Sequence, residues 1–159
     1  MVVNEIKKHI ETLTKEGRLA ETEKYYQHGN STIFQHSVDV ATLSCKLANI
    51  FHINVDNSSL INGALLHDYH LYNWRELKYG RWTHGFRHPK LALINAKQDF
   101  QLTEIEKDVI LNHMFPLTLK RPKTKEGWLV CMADKLCAIK EVSIFVCVLM
   151  MSTILFKRL

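Results

Sequence analysis

The sequence predicts an all-α protein that folds as one helical domain, and three observations support that prediction. Apolar residues recur at helical spacing along most of the chain, whereas no stretch of useful length alternates apolar and polar residues as a strand does. No internal repeat divides the sequence. The 159 residues, with 47% hydrophobic and 23% charged side chains, have the length and composition of a single globular domain spanning residues 1–159.

The first half of the chain is predicted to form four helices, each bounded by a glycine or a polar cap. Gly17 ends the first helix, and Gly29-Asn30 ends a short second one. The cluster Asn57-Ser58-Ser59 is predicted to cap the start of the fourth. The four helices run from Val3 through Leu13, over Glu21–His28, from Ile33 to about Phe51, and over Leu60–Leu71.

The second half begins with a predicted loop, Tyr72–Lys90, because Gly80, Gly85 and Pro89 interrupt the helical pattern there. A loop of this length in a compact domain usually has a function. Pro89 suits the first position of the helix that follows it. After that helix, the capping box Thr103-Glu104-Ile105-Glu106 begins another that ends near Pro116, Leu117–Lys125 forms a basic connection, and Thr124 caps a helix over Glu126–Glu141.

The C-terminal run Val142–Phe156 contains no charged residue and is followed by Lys157 and Arg158. A membrane-spanning helix needs about 20 apolar residues, and this run has only 15. We therefore expect residues 142–159 to form a buried or partner-contacting helix, with a membrane tail anchor as the less favoured alternative. Membrane contact through 142–156 and a homodimer formed through this helix both stay open.

The composition restricts where the protein works and what it binds. The cysteines form no C-x-x-C pair, and the N-terminus is charged rather than a secretory signal, so we expect reduced thiols in a cytoplasmic protein. The net charge of +5 is too small to indicate specific nucleic-acid binding, but it suits a small anionic substrate.

Polar residues on the apolar faces of the predicted helices indicate a metal site. Asp68 shares its helix face with Ile61 and Leu65, and Asp134 lies near Val130. Buried carboxylates need a partner, and no lysine or arginine shares these faces. A divalent cation is the simplest partner, and ligation by His and Asp without thiolate suits Fe, Mn, Co, Ni, Zn or Mg. The inward-facing candidates are His36, His67, Asp68, His113 and Asp134.

The chain has His36, then His67–Asp68 some thirty residues later, then a distant Asp134 on a late helix. This order resembles the HD superfamily of metal-dependent phosphohydrolases, and the resemblance covers about residues 27–141. It implies an orthogonal multi-helix bundle that holds one or two divalent metal ions. It also implies hydrolysis of a phosphate mono- or diester of a nucleotide or another small metabolite. The attacking group would be a metal-activated hydroxide, and Asp68 would be a catalytic residue.

His88 and His113 fall where two-metal relatives, such as the HD-GYP phosphodiesterases, place further histidines. The resemblance implies that both hold a second metal, with Asp68 bridging the two ions. The GYP signature itself is missing, so cleavage of a cyclic dinucleotide is not expected. The other departures from the relatives are Leu71 in place of a lysine, Met114 in place of a histidine and Thr32 in place of a glutamate.

Basic residues on the two predicted connections are expected to bind the phosphate. His84 has no metal role in this scheme, so we assign to it the contact with substrate or the protonation of the leaving oxygen. Two alternatives stay open, an HD-fold di-iron oxygenase and a non-catalytic module that senses a nucleotide. The candidates for phosphate binding are Arg81, Arg87, Lys120 and Arg121.

Overall fold

A computed structural model describes the backbone of residues 2–27, 29–76 and 80–156, together with their side chains except those of 80–82 and 144–156. Nearly every well-defined element in these ranges is helical. The α-helices are α1 (Val2–Glu16), α2 (Ile33–Ile50), α3 (Asn57–Leu66), α4 (Gly80–Asp99), α5 (Glu104–Asn112) and α6 (Lys125–Phe156).

The connections carry two short 3₁₀ helices, Leu19–Lys24 and Trp74–Glu76. The first of these takes the place of the predicted α-helix Glu21–His28. Among the described residues no β-strand forms, and an isolated bridge joins Tyr26 to Thr32. The predicted all-α fold class is therefore confirmed.

Polar caps fix where several helices begin. The Thr32 hydroxyl caps α2, and the Thr103 hydroxyl caps α5, each within a capping box. The Thr124 hydroxyl accepts a hydrogen bond from the Gly127 N–H in the first turn of α6. These side chains satisfy N–H groups that have no partner within the helix, so the caps predicted at Thr103 and Thr124 are confirmed.

The fourth predicted helix, Leu60–Leu71, is displaced in the structure. The carboxylate of Asp56 accepts hydrogen bonds from the first turn, so α3 begins at Asn57 and the predicted cap cluster lies inside it. The helix ends at Leu66. Its end could not be read from periodicity because residues 63–70 are all buried, and no contrast between faces marks the last turn.

The largest difference between prediction and structure is α4. The predicted loop Tyr72–Lys90 is helical from Gly80 onward, and Pro89 lies inside α4 rather than at its start. The helix forms because residues spaced four apart are buried along one face, and tertiary packing outweighs the local preferences of glycine and proline. The buried face consists of His84, His88, Ala92 and Ala96.

The core lies where α2 and α3 pack on each other, with α6 against α2 and α5 against α3. Gly63 allows α3 and α5 to approach closely, since a Cβ atom at this position would lie 3.0 Å from the Val109 side chain. This approach brings the C-terminal ends of both helices together. The fully buried apolar side chains of this core include Val40, Ala41, Leu60, Ile61, Ala64, Ile110, Val130 and Ala133.

α6 contains the predicted helix Glu126–Glu141 and continues through Val142–Phe156. No helix in the part of the chain that the structure describes has both the length and the apolar character needed to cross a membrane. The described part of α6 carries exposed apolar side chains as well as buried ones. The exposed ones are Trp128, Met132, Leu136, Ile139 and Val142.

Candidate metal centre

Six buried side chains converge at the centre of the bundle from five places in the chain. α2, α4 and α6 each contribute one, while three more follow directly after α3 and α5. Their exposed fractions range from 0% to 7%, so water is largely excluded from all of them. The structure thus brings together all six of the predicted metal ligands, which are His36, His67, Asp68, His88, His113 and Asp134.

The first cluster surrounds the carboxylate of Asp134. Its Oδ1 atom lies 3.1 Å from Nε2 of His36 and 3.7 Å from Nε2 of His67. The Oδ2 atom of Asp68 lies 3.4 Å from Nε2 of His67. One ligand atom from each of His36, His67 and Asp134 falls within 4.8 Å of the others, a spacing at which one metal ion can bind all three.

The second cluster surrounds the other oxygen of Asp68. Its Oδ1 atom lies 3.0 Å from Nε2 of His88 and 3.5 Å from Nε2 of His113. The ligand atoms of His67, Asp68 and His113 also lie within 4.8 Å of one another. Asp68 therefore directs one oxygen toward each cluster, which is the arrangement of a bridging carboxylate.

Hydrogen bonds on the outer side of the centre orient the four imidazoles. Each ring uses Nδ1 for a bond that points away from the centre, so Nε2 faces inward. Such outer bonds fix the tautomer and ring orientation of metal-binding histidines. The Nδ1 partners are Glu141 Oε1 for His36 at 3.0 Å, Ala64 O for His67 at 2.7 Å, His84 O for His88 at 3.0 Å and Ile110 O for His113 at 2.9 Å.

The inward-facing nitrogens fit a cation. Nε2 of His88 and Nε2 of His113 lie 2.9 Å apart. Because both rings donate a proton from Nδ1 to a carbonyl, neutral imidazoles would place two lone pairs against each other here. Nε2 of His67 is buried and has no hydrogen-bond partner in the described part of the chain. Positive charge between these nitrogens relieves both problems, so the residues present fit a divalent metal.

The pKa shifts favour the ionised form of both aspartates. Burial raises the pKa of Asp68, but the neighbouring imidazoles of His67 and His88 lower it well below its usual range. Burial also raises the pKa of Asp134, but the hydrogen bond with His36 and the nearby imidazole of His67 lower it below its usual range. Burial lowers the pKa of His36, but hydrogen bonds to Asp134 and Glu141 raise it to about 10. A metal at Nε2 of His36 therefore competes with a proton.

A pocket of about 600 Å³ gives access to the centre. Asp68, His88 and Asp134 line its floor, so the candidate ligands face the pocket directly. A larger cavity, of about 760 Å³, is lined by Glu5, His9 and other residues of α1 and α3, and none of the six candidate ligands lines it. The chemistry therefore belongs to the smaller pocket.

His84, the predicted proton donor, lines this pocket. Its ring stacks on His88 with centroids 4.7 Å apart and on Trp74 with centroids 5.1 Å apart. Its Nδ1 atom lies 3.0 Å from the Tyr72 hydroxyl. Stacking and this hydrogen bond hold the imidazole in one orientation beside the second cluster.

The three predicted phosphate-binding residues whose side chains the structure describes do not line this pocket. Arg87 is exposed and lines a smaller cavity, with Tyr72, that shares His84 with the pocket. Lys120 and Arg121 are exposed between α5 and α6, and neither lines the 600 Å³ pocket. The side chain of Arg81 lies outside the described residues. Substrate contact by these four residues stays a prediction.

Lys135 lines the pocket, although no substrate role was predicted for it. Its Nζ donates to the carbonyl oxygens of His113 and Cys131, at 2.9 and 3.1 Å, and lies 4.0 Å from Oδ2 of Asp134. Its position directly after Asp134 suggested only an ordinary ion pair. The direction of the Lys135 side chain depends on the position of the His113 carbonyl at the end of α5. The sequence does not specify where that helix ends.

Three more residues belong to the site but were missed. Gln27 donates a hydrogen bond to Oδ2 of Asp68 and lies 3.3 Å from Nε2 of His70. His70 received no site role from its position in the sequence, yet it is fully buried, and burial lowers its pKa to about 4. Glu141 follows Asp134 by two helical turns, so helical spacing alone could have found it. No such signal exists for Gln27, which lies on a loop.

Comparison with known proteins agrees with this geometry. The model of the HD domain family matches residues 33–139, which is more than half of the chain. No curated protein and no solved structure matches the chain. The matched range includes the six candidate ligands.

Proposed function

The chain belongs to the HD domain family, whose superfamily comprises metal-dependent phosphohydrolases, and we propose that it hydrolyses a phosphate mono- or diester of a nucleotide or another small metabolite. The observation that carries the proposal is the position of Asp68, with one oxygen 3.4 Å from His67 and the other 3.0 Å from His88. A carboxylate placed in this way suits two divalent ions that act on one phosphoryl group.

Two sets of ligands would hold these ions. Asp68 belongs to both, and a buried carboxylate is normally paired with a cation. The bound ions supply Lewis acidity toward a phosphoryl oxygen and toward the attacking water. The first set is His36, His67, Asp68 and Asp134, and the second is Asp68, His88 and His113.

Lys135 supports a phosphoester as the substrate. Its ammonium group lies in the pocket wall and is held by two main-chain carbonyls. Its third hydrogen bond is to the Cys131 thiol, at 3.3 Å. Sulfur is a weak acceptor, so a phosphoryl oxygen would replace it at little cost.

His84 would complete the reaction. As the oxygen of water bonds to phosphorus and the water releases a proton to solvent, the bond to the leaving oxygen breaks, and His84 donates a proton to that oxygen. The hydrogen bond to Tyr72 and the stack against Trp74 keep the imidazole turned toward the pocket. The histidine is then reprotonated from solvent.

The direct test replaces Asp68 with alanine. We expect Asp68→Ala to lose metal-dependent hydrolysis of p-nitrophenyl phosphate by at least about a hundredfold, because both ions lose a ligand. Asp39→Ala is the matched control, since Asp39 is exposed and pairs with Lys140 at 3.8 Å on the outside of α2. It should keep its activity.

Two outcomes would contradict the proposal. One is metal-loaded protein that turns over no ester in a broad panel of phosphate mono- and diesters. The other is a protein that holds two iron ions and consumes oxygen with an organic substrate, which would favour the oxygenase alternative.

A further inference from the structure

The lining of the 600 Å³ pocket combines polar and apolar residues. The polar ones are Gln27, Asp68, His84, His88, Asp134 and Lys135, and the apolar ones are called the apolar side below. We infer, on the basis of the proposed function, that the substrate carries a single phosphate on a compact aromatic or apolar group. The apolar side consists of Trp74, Met114, Pro116, Leu117 and Ala138.

The apolar side forms a wall of the pocket, and packing against α4 holds part of it in place. Leu117 packs directly on the α4 backbone, since a Cβ atom at Gly85 would lie 2.9 Å from Leu117 Cδ2 and 3.8 Å from Met114 Cε. Leu117 is nevertheless 45% exposed. A substrate group that covers this surface removes apolar area from water, which is favourable. A thioether such as that of Met114 also makes favourable contacts with aromatic rings.

The same wall disfavours a strongly polar substrate group. Sugar hydroxyls placed against Leu117 and Met114 would lose hydrogen bonds to water and find no replacement there. An apolar pocket discriminates against an added hydroxyl by no more than about a hundredfold, which is enough for a measurable preference. A sugar phosphate should therefore bind more weakly than an apolar ester of equal charge.

The described cationic side chains suit a substrate with one phosphate. Among the described residues that line the pocket, Lys135 is the cationic side chain, while Arg87 lines a cavity that shares His84 with the pocket and Lys120 lines a different one. A phosphate monoester carries about two negative charges at neutral pH. The metal centre and one lysine can balance these. A nucleoside triphosphate would leave further negative charge unpaired in this pocket.

The experiment compares benzyl phosphate, glycerol 3-phosphate and ATP with the metal-loaded full chain. Benzyl and glycerol phosphate both release a primary alcohol, so a difference between them reports binding in the pocket rather than the quality of the leaving group. We expect kcat/KM for benzyl phosphate to exceed the other two by at least about tenfold.

Matched variants test the wall itself. Leu117→Asn keeps the size of the side chain but makes it polar, and it should lower kcat/KM for benzyl phosphate by about tenfold with little effect on glycerol phosphate. Leu119→Asn is the control, because Leu119 is 93% exposed on the same segment and does not line this pocket. Its kinetics should equal those of the unchanged protein.

Different results would overturn the inference about the substrate and the proposal of phosphoester hydrolysis. Turnover with equal preference for glycerol phosphate, or with a preference for ATP, overturns the inference and leaves phosphoester hydrolysis standing. If no ester is turned over, the function fails, and calorimetry with benzylphosphonate and methylphosphonate still tests the pocket. Tighter binding of benzylphosphonate, lost in Leu117→Asn, supports the apolar wall, and equal binding of the two overturns it.

Discussion

At the scale of residues, the inward orientation of Nε2 matters more than the number of histidines. Four histidines use Nδ1 for an outer hydrogen bond, so their Nε2 atoms meet around Asp68. These histidines are His36, His67, His88 and His113. The sequence predicted these ligands because helical spacing shows which side chains face inward. It did not predict Gln27 or Lys135, whose direction depends on how loops and helix ends pack.

His84 gives the residue-scale prediction. His84→Asn removes the proton donor and should lower kcat by about a hundredfold or more. The loss should be larger for benzyl phosphate than for p-nitrophenyl phosphate, because nitrophenolate leaves readily without a proton. Single-substrate kinetics with both esters measure this difference, and His9→Asn, outside the pocket, is the control. An equal loss with both esters would show that His84 does not protonate the leaving oxygen.

At the scale of elements, the metal centre depends on where helices begin and end, because the connections between them set these positions. The first half of α4 was predicted as a loop because Gly80, Gly85 and Pro89 interrupt the helical pattern, yet it carries His84 and His88 on one buried face. His84, His88, Ala92 and Ala96 follow one another at intervals of four residues. This helical spacing was present in the sequence and could have revealed the helix. The missing information was which partner helix would cover that face.

Asp108 gives the element-scale prediction. Its carboxylate accepts hydrogen bonds from the backbone N–H groups of Lys123 and Thr124, from the Thr124 hydroxyl and from Asn112. It thereby fixes the connection that leads into α6. Asp108→Asn should lower the free energy of unfolding by about 1–3 kcal/mol at neutral pH, whereas Asp39→Asn should have little effect. Urea denaturation measures both.

The stabilisation of the fold by Asp108 should decrease as the pH falls. Burial raises the pKa of Asp108, but hydrogen bonds from Asn112 and Thr124 outweigh burial and lower it below the ordinary value of 3.8. The ionised carboxylate therefore stabilises the fold above pH 3.8, and this contribution is lost as the pH falls toward the lowered pKa. The difference between the unchanged protein and Asp108→Asn should shrink below that pH. A difference that grows on acidification would contradict this account.

At the scale of the whole molecule, the candidate ligands come from three helices and from the ends of two more, so a bound metal would tie the bundle together. The sequence predicted the fold class and most helices but not their relative placement, because crossing geometry depends on packing such as that of Gly63 against Val109. Homodimer formation and membrane contact through α6 stay predictions that sedimentation and vesicle binding can test.

Metal binding gives the whole-molecule prediction. A ligand at about a hundred times its Kd stabilises the folded state by about 2.7 kcal/mol, which should raise Tm by about 5–10 °C in a chain of this size. Thermal unfolding with Mn²⁺ and with a chelator measures the shift. The shift should weaken at acidic pH, because protons compete for the imidazoles. It should vanish in Asp68→Ala. An equal shift in that variant would place the metal elsewhere.

The most direct test of the central claim is elemental analysis of the chain purified without chelators or affinity metals. Asp68, with one oxygen in each cluster, leads us to expect two equivalents of divalent metal per chain and a marked loss of metal in Asp68→Ala. Protein that holds no stoichiometric metal, even after incubation with Mn²⁺, Fe²⁺ or Zn²⁺, would contradict the claim that these buried imidazoles and carboxylates converge on cations.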